Sequence, residues 1–153
     1  MNYYDEIKNK LIDNEIYSKV KDYSKEQHKI ITHYEVGKLL FEAGSHYGYN
    51  VIGNYSKKLQ IEVGKKYNER TLRRMRQLYL FFEEQKWSLN GTKLSLSHIR
   101  ELFSLKDSHA INYYISISSE QNLTRDELRN RTKSNWAKKR TYSSNTNIYE
   151  LYR

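Results

Sequence analysis

The densest run of chemistry-bearing side chains in the sequence is RTLRRMRQ, which sets Arg70, Arg73, Arg74 and Arg76 beside Gln77. Spacings of three and four bring Arg70, Arg73 and Arg74 onto one side of a helix, opposite Leu72, Met75 and Tyr79. A guanidinium presents a planar fork of donors that fits a phosphate, a carboxylate or the O6/N7 edge of guanine, where a lysine offers only a point charge. Such a face suits a nucleic acid or an acidic protein surface, with Glu69 and the carboxylates of the first helices as competing partners within the chain. Lys57, Lys58, Lys65 and Lys66 precede it, and Ser56 stands where an N-cap would turn a helix start toward a phosphate. A second basic block, with Arg125, Arg129, Lys138, Lys139 and Arg140, spreads around its own helix as a solvated face does. Trp136 within it reads as a pin to the core.

The charge is localised. The 153 residues hold 27 Lys and Arg against 18 Asp and Glu, a net charge of +9. Residues 65–100 carry 9 basic and 3 acidic side chains and residues 124–153 carry 8 and 3, whereas residues 1–64 are balanced. Positive charge gathered in blocks is the footprint of a polyanion-binding surface, because each neutralised phosphate releases counterions.

Other chemistries find no support. With no cysteine, the chain has no disulfide framework, thiolate zinc site, iron-sulfur cluster or thiol nucleophile, and a reducing cytoplasm is the expected compartment. His28, His33, His46, His98 and His109 fall on no metal-ligand spacing, and no phosphate-cradling glycine loop occurs. Glu84-Gln85-Lys86 matches the acid-x-Lys of a metal nuclease but ends a helical pattern with no strand beside it. The adjacent pairs Glu83-Glu84 and Asp126-Glu127 diverge by about 100° on a helix and cannot share a substrate bond. The chain is therefore expected to be no enzyme and to need no metal or cofactor. No apolar run approaches the roughly 20 residues of a membrane span, and MNYYDEIKNK is no signal peptide.

The elements that must position the arginines are helical. There is no proline, glycine numbers 6, and mean hydropathy is −0.95, so 15 tyrosines must supply core that aliphatic residues do not. An all-α domain over residues 1–140 is predicted, with 141–153 as a tail or the start of a linker. Residues 1–43 read as an antiparallel helical pair or one long bent helix, the second stripe stopping at Ala43-Gly44. Residues 51–86 read as a helix-turn-helix: Ser56 caps a helix carrying Leu59 and Val63, Gly64 closes it, and Asn68 caps the arginine helix. Asn90-Gly91 predicts a loop or small wing near 87–94. Three helices follow within 95–140, near 96–105, 108–120 and 124–139, the last opened by a Thr124–Glu127 capping box.

Four segments carry a family resemblance: YEVGKLLF at 34–41, YGYNVIGNYSKKLQIEVGKKYNERTLRRMRQLY at 47–79, LSLSHIRELFSLKD at 94–107 and INYYISISSEQNLTRDEL at 111–128. In order and spacing they closely resemble the N-terminal domain of YhcG-like proteins, over about residues 16–135. The resemblance implies a helical domain that normally precedes a PDDEXK-type nuclease domain. It places Gly37, Tyr47, Gly48, Leu59, Gly64, Leu72, Arg74, Met75, Arg76, Tyr79, Leu94, Ser97, His98 and Leu102 at family motif positions. Leu96 stands where a Trp is usual and the 153 residues hold no nuclease domain, so no catalytic residue carries over. The order of a helix-turn-helix at 56–82, LSLSHIRELFSL and NLTRDELRNR is also similar to the DNA-binding region of ParB-like partition proteins. By that fold-level analogy residues 69–77 would enter the major groove, and the helices after residue 95 would brace them and touch backbone phosphates.

The leading expectation is a non-catalytic nucleic-acid-binding protein of a prokaryote or its mobile elements, DNA favoured over RNA, with Arg70, Arg73, Arg74 and Arg76 on the duplex. Ser56, Lys57 and Lys58 would hold phosphates beside them. The alternative is an interaction module, in which the N-terminal helices form a homodimer or grip another protein and the arginines bind an acidic partner. A phage-encoded, anti-CRISPR-like inhibitor of a host defence nuclease and the dimerisation domain of a nuclease are instances of it.

Overall fold

The computed structural model describes residues 2–19, 24–48, 50–85, 94–105 and 107–141. Among them are seven helices and no strand, an all-α fold. The chain divides into two compact units, Met1–Leu89 and Asn90–Arg153.

In the first unit α1 (Tyr3–Tyr17), α2 (Ser24–Tyr47), α3 (Val51–Glu62) and α4 (Glu69–Gln85) share one core. Asn2 starts α1 by accepting the Asp5 N–H, and Asp5 and Glu6 suit the positive end of that helix. α2 is the central helix. Tyr3 packs by Tyr47 at 6.2 Å and Tyr17 stacks on His28 at 4.1 Å, so α1 lies antiparallel along it. Of the two forms expected for residues 1–43, the described residues take the antiparallel pair.

Their boundary differs from expectation. α2 runs through Gly44 to Tyr47, and the left-handed residue is Gly48, at φ +92°, whose N–H donates to the Gly44 carbonyl at 3.0 Å. The extra turn is held from outside, since His46 stacks on Tyr3 at 5.9 Å. α3 then starts at Val51, five residues before the expected Ser56 cap.

On the other side of α2, Tyr34 meets Tyr79 and Phe82 at ring distances of 5.3 and 5.8 Å, and Phe41 meets Tyr79 at 5.7 Å. Between those rings the two backbones nearly touch. A Cβ on Gly37 would overlap the carbonyl group of Met75 and lie 3.0 Å from Tyr79 Cβ. Leu72, Met75, Leu78 and Phe82 bury the facing side of α4 almost completely.

The second unit holds α5 (Leu96–Glu101), α6 (Ser108–Gln121) and α7 (Arg125–Thr141), and Leu96, Ile99, Leu102, Ile111, Tyr114 and Leu128 are buried in it. Its caps are local and complete: Asp107 accepts the His109 N–H at 2.9 Å, Asn122 takes the left-handed position at φ 50°, and the Thr124–Glu127 box closes reciprocally at 3.2 and 3.4 Å. His98 ties α5 to the α6–α7 connection. Its Nε2–H donates to the Leu123 carbonyl at 2.6 Å, which leaves Nδ1 to accept from Ser95 Oγ–H at 2.7 Å. Of the wing expected near 87–94 and the tail expected over 141–153, residues 87–93 and 142–153 lie outside the described residues, while Leu94 is buried and Thr141 still belongs to α7.

Gly37→Ala must push a methyl into a backbone carbonyl and should lower stability by about 1–3 kcal/mol. Gly44→Ala, with nothing within 4 Å of its Cβ, should raise it by about 0.5–1 kcal/mol. Urea unfolding of the two variants measures both; equal midpoints would contradict the close approach.

Candidate nucleic-acid interface

With its inner face committed to α2, α4 presents Arg70, Arg73, Gln77 and Leu80 outward. Arg74 and Arg76 are half-buried on its two flanks, about 160° apart around the axis. Arg70, Arg73, Arg74 and Gln77 thus share one side, and Arg76 borders the opposite edge. Arg73 Nη2 donates to Glu69 Oε2 at 3.2 Å, the pairing within the chain that its sequence allowed. Arg70, Arg74 and Arg76 have no ion-pair partner among the described residues.

The lysines divide in the same way. Lys57, Lys58, Lys65 and Lys66 are all exposed, but Lys58 Nζ stands 5.2 Å over the Tyr4 ring. Lys66 pairs with Glu15 and lies 5.3 Å over the Tyr67 ring. Lys57 is exposed and follows by one helical turn on α3 the Gly53 that abuts Glu69 of α4.

Ser56 does neither of the things expected of it. α3 begins five residues earlier, so Ser56 is interior to the helix and only 1% exposed. Its Oγ–H donates to the Tyr67 carbonyl at 3.1 Å, and it accepts from Gln60 Nε2 at 3.0 Å. A hydroxyl enclosed in this way cannot meet a phosphate, and Lys57 and Lys58 beside it are mid-helix, away from any helix start.

What Ser56 does hold is the turn between α3 and α4. Val63 and Gly64 both donate to the Leu59 carbonyl, Tyr67 N–H donates to Gly64, and Asn68 Oδ1 accepts from Thr71 N–H at 3.0 Å, so Asn68 caps α4 as predicted. Tyr67 is buried, and its hydroxyl donates to Glu15 at the far end of α1. Burial first, then the facing Glu15 carboxylate, pushes the Tyr67 phenol well up. Burial works against the Glu15 carboxylate, but hydrogen bonds from Lys66 and Tyr67 outweigh it and hold the carboxyl below its ordinary 4.5. No periodic pattern marks this Glu15–Tyr67 clamp in the sequence.

The second basic block is partly engaged. Arg129 donates twice to Glu101, at 3.1 and 2.7 Å, which raises its pKa further, and Arg125 pairs with Asp126 at 3.1 Å. The side chains of Trp136, Lys138, Lys139 and Arg140, together with Lys86 of the acid-x-Lys tripeptide, lie outside the described residues. Among the described residues no three His, Asp or Glu side chains gather as a metal site would, and no helix is long and apolar enough to cross a membrane.

A family model described as the DUF1016 N-terminal domain matches residues 9–139. That domain is the YhcG-like N-terminal domain whose motifs the sequence carries. No curated protein and no solved structure matches the chain.

A folded-state carboxyl held below 4.5 stabilises the protein above that value and loses its contribution as pH falls through it. Glu15→Gln should therefore lower the urea midpoint near pH 7, with the two proteins converging as acid protonates the folded-state carboxyl below its ordinary range. Parallel pH profiles would show that the clamp contributes nothing.

Proposed function

Because the chain belongs to the DUF1016 N-terminal domain family, we propose that it is a non-catalytic nucleic-acid-binding domain in which α3 and α4 act as a helix-turn-helix on duplex DNA. The observation that carries this reading is the state of α4. One face is locked into the core, and the other offers Arg70, Arg73 and Arg74, two of them with no ion-pair partner among the described residues. From Arg70 to Gln77 the exposed stripe runs about 10 Å. That is the span of roughly three base pairs, and the major groove admits such a helix. The turn of residues 63–68 is longer than the three or four residues of a compact motif, and Ser56 and Tyr67 brace it. In this reading the exposed Lys57 and Lys65 contact backbone phosphates.

A protein partner is the second reading, and one observation favours it. Leu80 is 41% exposed within the arginine stripe, an apolar anchor of the kind that sits at the centre of protein interfaces.

Fluorescence anisotropy of a labelled mixed-sequence duplex, titrated at several salt concentrations, separates the two. Binding should be salt-steep and abolished by Arg73→Glu/Arg74→Glu, and Arg70→Ala should reduce the log–log salt slope by about 1. A folded protein that ignores duplex even at low salt would refute the DNA reading and leave the arginine face to an acidic protein.

A further inference from the structure

Glu69 is out of place on the basic side of α4. It occupies the first turn, where a carboxylate offsets the positive end of the helix and repels an approaching phosphate. It is also held. A Cβ on Gly53 would lie 2.8 Å from Glu69 Oε1 and 3.7 Å from its Cδ, so the carboxylate occupies the notch that the missing side chain leaves in α3. Gly53 stands in the first turn of α3, and its missing side chain makes room for this one acid. From the other side Arg73 Nη2 donates to Oε2 at 3.2 Å, while both side chains remain about half exposed.

A half-exposed carboxylate at the front of a groove-entering helix rejects phosphates and accepts amine donors. In the major groove the amine that pairs with Glu is cytosine N4, while Arg matches guanine O6 and N7. Resting on the reading of α4 as the groove helix, we infer that Glu69 is a specificity-determining residue. Its carboxylate accepts from a cytosine N4 amine and aims Arg73 at a neighbouring guanine. The pair reads sequence, and Arg70 and Lys57 supply affinity that is indifferent to it.

The test is selection of duplexes from a randomised pool by the wild-type protein, Glu69→Gln and Gly53→Ala, with circular dichroism confirming that each is folded. Affinity for one arbitrary duplex is measured alongside. The wild type should enrich a cytosine at one position beside a guanine. Glu69→Gln should lose at least about fivefold of that preference while binding the arbitrary duplex more tightly. Gly53→Ala changes no charge but displaces the carboxylate, and should lose part of the same preference. Binding by Glu69→Gln with the wild-type preference intact overturns this inference and leaves the duplex reading standing. Failure of all three proteins to bind any duplex overturns both.

Discussion

The close approach of α2 and α4 at Gly37 is the constraint on which the first unit depends. Two helices can come this near only where one lacks a side chain, and the Met75 carbonyl fills the space a methyl would take. Aromatic rings close around that point: Tyr34 and Phe41 from α2, Tyr79 and Phe82 from α4. Tyr34 also donates to Glu83, and that hydrogen bond, with burial, pushes its phenol up to about 12. Once the inner face of α4 is fixed in this way, the outward direction of Arg70 and Arg73 follows from helical geometry alone.

α1 fixes the near end of the same helix. Glu15 reaches the buried Tyr67, Tyr67 receives Ser56 through its carbonyl, and Asn68 caps α4 immediately after. The N-terminal helices therefore act on the arginine helix through its turn as well as through its flank. They also take up positive charge, since Lys66 is bound by Glu15 and Lys58 leans over Tyr4. Of the basic residues on α3, α4 and the turn between them, Arg70, Arg74, Arg76, Lys57 and Lys65 are left with neither an ion-pair nor a ring partner among the described residues.

Features encoded within a few residues were legible in the sequence. The stripe of Leu72, Met75 and Tyr79 against arginines, the Asn68 cap and the Thr124–Glu127 box each depend on neighbours one turn away. Ser56 and Gly44 misled for the opposite reason. A serine ahead of an apolar stripe resembles an N-cap and a glycine after one resembles a helix end. Here Tyr67, eleven residues away, claims the hydroxyl, and Tyr3, from another helix, extends α2 past the glycine. The Gly53 notch and the Glu15–Tyr67 clamp are likewise contacts between distant segments, and no local pattern announces them. The family motif did mark Gly37, without the backbone contact that explains it.

The most direct measurement is an NMR titration of duplex DNA into the isotopically labelled protein, following arginine Nε–H resonances together with backbone amides. A helix that enters the groove by its outward stripe requires the largest shifts at Arg70, Arg73, Arg74 and Gln77. The buried Leu72 and Met75 side and the outer face of α1 at Asp5, Asn9 and Asp13 should stay unmoved. Shifts concentrated instead on the exposed α2 stripe of Ile31, Lys38 and Phe41, with the α4 arginines silent, would show that α4 is not the surface that meets DNA.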